Sequence, residues 1–79
     1  MNDVKVLKQE EFYFRILIRK DSEYFGLDGM IKLTGKLPST ITTIAVKEAN
    51  PICKVYCFTN HHSDYMGIED RLNVKVEMI

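Results

Sequence analysis

Phe12-Tyr13-Phe14-Arg15-Ile16-Leu17-Ile18-Arg19 alternates with a period of two. Phe12, Phe14, Ile16 and Ile18 share one face of an extended strand, and Tyr13, Arg15, Leu17 and Arg19 share the other. One face is apolar and the other mixes aromatic, aliphatic and basic groups. That pattern belongs to a sheet with one side turned to a core.

Working outward, Val4 and Val6 precede this strand as an expected edge strand. After it, Asp21-Ser22 is a turn signal, and Asp28-Gly29 stands between the apolar runs 23–27 and 30–34. Asp-Gly in that setting predicts a hairpin, because both central turn residues must accept positive φ. A short helix capped by Ser22 is the alternative, disfavoured by two glycines in the window. Thr40 to Lys47 is rich in β-branched residues and reads as a strand. Asn50-Pro51 then makes a turn into a second strand, Ile52 to Thr59, closing a hairpin.

One helix is expected, over about 63–72. Ser63 is its candidate cap, Asp64 favours its N-terminal dipole, and Tyr65, Ile68 and Leu72 recur at helical spacing. Asn73 is a candidate left-handed stop. Residues 73–79 alternate again, with Val74, Val76 and Met78 turned inward. The expected fold is therefore α+β, a mostly antiparallel sheet of five to six strands with this helix packed on one face. Residues 1–79 are expected to form a single compact domain. With one late helix, the order does not match the two-helix ferredoxin-like RNA-binding domains, and it is not close to a barrel family.

Composition bounds the function. A chain of 79 residues buries only about 60% of the surface its unfolded form exposes, so its core is small. Eleven basic residues balance eleven acidic ones, which supplies no overall attraction to nucleic acid or anionic lipid. No run approaches the roughly 20 apolar residues of a membrane-spanning helix, and Met1 to Val6 lacks a signal-peptide core. Cys53 and Cys57 fall on one strand, with Cα atoms about 13 Å apart, beyond disulfide reach. Two free thiols suit a reducing compartment, so the expected location is cytoplasmic.

Both histidines lie in Thr59-Asn60-His61-His62-Ser63-Asp64, between a strand and a helix, where binding groups are often presented. Cys53, Cys57, His61 and His62 are zinc-type ligands, but strand spacing holds the cysteines too far apart for a tetrahedral site, so no metal is expected. Cys57, His61 and Asp64 lack an accompanying catalytic motif. Gly26, Gly29 and Gly35 match no phosphate-binding loop. Glu10-Glu11 and Glu69-Asp70 are adjacent acids that point different ways. No cofactor and no enzymatic activity are expected.

Two readings remain. The favoured one is a small binding or regulatory module, an inhibitor or accessory factor, acting by protein–protein contact. Its candidate surface is Tyr13, Arg15, Leu17, Arg19, His61 and His62, with a homo-oligomer through an edge strand as one form. The other is a single-stranded nucleic-acid binder using Tyr13, Arg15, Arg19 and Lys20. The neutral net charge and the lack of an RNA-binding consensus rank it second.

Overall fold

A computed structural model describes residues 11–79. The elements run β1 (Phe12–Arg19), α1 (Gly26–Lys36), β2 (Thr42–Ala49), β3 (Ile52–Thr59), α2 (His62–Met66), α3 (Ile68–Leu72) and β4 (Lys75–Met78). All strand pairs are antiparallel, and the sheet order is β2-β3-β1-β4. Taking α2 and α3 as one bent helical segment, this is the βαββαβ, ferredoxin-like arrangement. The α+β class therefore holds, while the sheet has four strands among the described residues rather than five to six. The expected edge strand at Val4 and Val6 lies outside the described residues.

The largest correction concerns residues 23–34, which form a turn followed by α1 and not a hairpin. Asp28-Gly29 sits in the first turn of α1. The glycines that argued for a turn have other uses. Gly26 opens the helix at φ +89, a conformation L side chains rarely adopt. Gly29 packs against the chain just before the helix, so closely that a Cβ there would lie 2.2 Å from the Tyr24 carbonyl carbon. Ser22 does order this corner: its Oγ accepts from the Tyr24 backbone N–H and its carbonyl from that of Phe25. Met30 and Leu33 then recur at helical spacing and are buried.

The C-terminal helix forms, but as two short pieces joined at Gly67. Glycine is the weakest helix former there besides proline, and the bend lets two faces be used. Tyr65 stacks on Phe12 and Phe14, while Ile68 and Leu72 enter the core. His61, not Ser63, occupies the capping position, and it makes no side-chain cap bond. Asn73 is left-handed as expected, at φ 53.

The core is the inner half of each alternation. Phe14, Ile16 and Ile18 of β1 lie opposite Cys57, Val55 and Cys53 of β3. All six are buried, with Met30 and Leu33 from α1 and Ile68 and Leu72 from α3 packed in the same cluster. Every described helix contributing to this core therefore sits on one face of the sheet. The β2–β3 hairpin is as expected, with Asn50-Pro51 as its two-residue turn between Ala49 and Ile52. Val76 and Met78 of β4 pair with Ile16 and Phe14 on the inner face, Met78 remaining half exposed.

The glycines give a matched test. Gly29→Ala is expected to cost about 1–3 kcal/mol by overpacking, lowering Tm by roughly 5–20 °C for a chain of this size. Gly35→Ala, where a Cβ meets nothing within 4 Å, should be neutral or stabilising by up to about 1 kcal/mol. Thermal melts of both variants check this, and equal shifts would contradict the close approach at Gly29.

Candidate nucleic-acid interface

The helices occupy the inner face, and no described element packs on the other. Strand alternation and register assign its occupants. β1 presents Tyr13, Arg15, Leu17 and Arg19, directly opposite Phe58, Tyr56, Lys54 and Ile52 of β3. β2 adds Ala45 opposite Tyr56 and Lys47 opposite Lys54. β4 adds Lys75 opposite Leu17 and Glu77 opposite Arg15. The two central strands thus carry three aromatic rings side by side.

These groups are organised by one another. Tyr13 and Phe58 stack with centroids 5.4 Å apart and planes 17° from parallel. The Arg15 guanidinium lies 6.0 Å from the centre of the Tyr56 ring, at the edge of cation–π range. Its Nη2 donates to Glu77 Oε1 at 2.8 Å across the β1–β4 pair. Glu77 first, and then the Tyr56 hydroxyl, raise the Arg15 pKa above its ordinary value, so Arg15 is a fixed cation. The pair is about a third exposed, and pairs of that kind contribute at most about 1 kcal/mol. Arg15 Nε and Tyr13 Oη are both shielded from solvent with no hydrogen-bond partner among the described residues.

Charge is sorted between the layers. Among the described strand residues, the open face holds Arg15, Arg19, Lys47, Lys54 and Lys75 against Glu77, five cations and one anion, a local balance of +4. The helices carry Asp28, Asp64, Glu69 and Asp70 against Lys32, Lys36 and Arg71. A chain with zero formal charge therefore presents a basic sheet. Arg19 reaches Asp21 only at 3.8 Å, with both side chains more than four-fifths exposed, so it remains available to a ligand.

Two hollows accompany this face. The smaller, about 340 Å³, is walled by Tyr13, Ile44, Ala45, Lys47, Tyr56 and Ile79. Ile44 reaches it through a β-bulge between Thr43 and Ala45. The larger, about 1430 Å³, opens at the C-terminal end of β1 among Arg19, Lys20, Asp21, Glu23, Asn73 and Lys75. Its charges are mixed and its mouth is broad, so nothing converges on a bound group.

Of the six candidate residues read from the sequence, Tyr13, Arg15, Leu17 and Arg19 share the open face. His61 and His62 do not join them. The His62 ring stands edge-on to Phe12 and Tyr65 at 5.1 and 5.0 Å, within the helical layer. Asp64 accepts from the Thr40 hydroxyl. Cys53 and Cys57 are free and buried. Burial pushes the Cys57 thiol up to about 11, only partly offset by a hydrogen bond with Thr43, and burial then the Glu48 charge raise Cys53. Neither is a ready thiolate at neutral pH. Among the described residues no group of three or more His, Cys, Asp or Glu side chains could hold a metal ion, and no helix is long and apolar enough to cross a membrane. Sequence reasoning missed Tyr56, Phe58, Lys47, Lys54 and Lys75. The alternation of Ile52-Lys54-Tyr56-Phe58 was available, but not the strand it would lie beside.

No protein-family model, curated protein or solved structure matches this chain.

Ellman's reagent should find no rapidly reacting thiol in the folded protein at pH 8 and two in denaturant. Because the folded Cys57 keeps its proton up to about 11 where an unfolded thiol loses it near 9.0, stability should fall as pH rises through that window. Immediate native labelling would contradict the buried assignment.

Proposed function

We propose that this protein binds single-stranded nucleic acid on its open sheet face. The observation that carries the reading is the placement of Tyr13, Tyr56 and Phe58 on the two central strands of a face bearing five cations and one anion. Aromatic side chains on a four-stranded sheet stack unpaired bases, and surrounding lysine and arginine neutralise phosphates. Tyr56 and Phe58, two apart on β3, are separated by about 6.6 Å along the strand. Bases seated on both are therefore splayed from one another, as an unpaired strand allows. The neutral net charge that ranked this reading second averages over the whole chain, whereas the described strands of this face carry a surplus of cations, and a ligand meets the local field.

Fluorescence anisotropy with labelled single-stranded RNA and DNA tests it. Tyr56→Ala and Phe58→Ala should each weaken binding by about 1–3 kcal/mol, the worth of one stacked base. Lys54→Ala should make the dependence of log affinity on log salt shallower by about 0.7. Absence of binding to both polymers at low salt would overturn the proposal.

A protein contact is the second reading, and a specific observation favours it. Leu27 and Ile31, 79% and 68% exposed, lie one turn apart on the outward side of α1. Ile44 and Val46 are also substantially exposed on β2, the edge strand opposite β4. If this surface mediates self-association, Ile31→Ser should shift a concentration-dependent sedimentation coefficient to the monomer value. A monomeric parent chain at all concentrations would remove the homo-oligomer.

A further inference from the structure

We propose that Glu77 is a built-in competitor for the phosphate that Arg15 takes from a bound strand, so that the ligand enters by breaking the Arg15–Glu77 pair. The inference rests on the nucleic-acid reading and concerns what sets the affinity of that face. Arg15 stands on the central strand β1, with Tyr56 directly across on β3 and Glu77 directly across on β4. Its guanidinium lies 6.0 Å from the centre of the Tyr56 ring, so a base seated on Tyr56 brings its flanking phosphates toward Arg15. Arg15 Nε is shielded from solvent, which leaves the Nη groups as the donors a ligand can reach. Nη2 already donates to Glu77 Oε1 at 2.8 Å.

Carboxylate and phosphate are alternatives for this fork. The planar N–H donors of a guanidinium match the oxygens of either anion. Glu77 is the one anion that the described strand residues place on this face, and it is held by the cation beside Tyr56. The pair can be broken. Both side chains are about a third exposed, and an ion pair open to water is weak and screened by salt. Glu77 also stands on the edge strand β4, from which a displaced carboxylate turns into water. Arg19 is the contrast. Its acid, Asp21, is 3.8 Å away with both side chains more than four-fifths exposed, so little has to be displaced there. Arg15 exchanges one anion for another on binding, and its net contribution to affinity is smaller than that of an unpaired arginine.

The test is a double-mutant cycle read by anisotropy with labelled oligouridylate at one low salt concentration. Glu77→Gln keeps the shape of the side chain and removes its charge. It should tighten binding by about three- to fivefold, the worth of an exposed ion pair. In an Arg15→Ala background the same substitution should change affinity by less than about twofold, because no guanidinium is left to release. Arg15→Gln provides the same background if thermal melts show that Arg15→Ala does not fold. Equal tightening in both backgrounds assigns Glu77 a general repulsion of phosphates and overturns the competition, while leaving the nucleic-acid reading in place. No tightening by Glu77→Gln in the parent chain overturns it as well. Failure of both the parent chain and Glu77→Gln to bind defeats the underlying reading instead.

Discussion

The pairing of β1 with β3 is the constraint on which the rest of this molecule depends. Its register buries Phe14, Ile16 and Ile18 beside Cys57, Val55 and Cys53. Because side chains alternate, the same register sets Tyr13 beside Phe58 and Arg15 beside Tyr56 on the opposite face. A slip of one residue would exchange the two sets, exposing the core and burying two arginines. The hydrophobic effect therefore fixes the position of the polar face without acting on it directly. Core packing and the candidate ligand surface are two sides of one ladder.

The helices complete that separation. Both helical segments deliver apolar residues to the inner face, Met30 and Leu33 from α1 and Ile68 and Leu72 from α3. One of their carboxylates, Glu69, reaches the edge of the sheet, where its Oε2 accepts from the Val76 backbone N–H. The result is a small domain whose net charge says little about its surface. Nearby charges act within a screening length of about 10 Å, so a ligand lying along the sheet would meet chiefly the charges that the described strands present there.

Much of this was legible in the sequence and some was not, for physical reasons. The alternation at 12–19 gave a strand with its inner face correctly assigned, since burial acts on every second residue, and 52–59 was legible as a strand without an assigned face. Asn50-Pro51 marked its turn and Asn73 its helix stop through local backbone preference alone. Gly26 and Gly29 misled because local rules associate glycine with turns. Here Gly29 answers a tertiary approach to Tyr24, which no local rule contains. With α1 misread, the two-helix order disappeared and an extra hairpin took its place. The candidate face was half legible for a related reason. Tyr13, Arg15, Leu17 and Arg19 came from one strand's own periodicity, whereas Tyr56, Phe58 and Lys54 join them only through long-range pairing. His61 and His62 were singled out by residue type in a loop, and the fold turns His62 toward Phe12 and Tyr65.

The central claim is that the face opposite the helices is where this protein meets its ligand, and that the ligand is an unpaired nucleic-acid strand. Two-dimensional NMR of the labelled protein, titrated with a short single-stranded oligonucleotide, tests it most directly. The account predicts progressive shifts at Tyr13, Arg15, Lys54, Tyr56 and Phe58, with Leu27 and Ile31 on α1 left unchanged. Shifts gathered on α1, or a spectrum unaltered by saturating oligonucleotide, would contradict it.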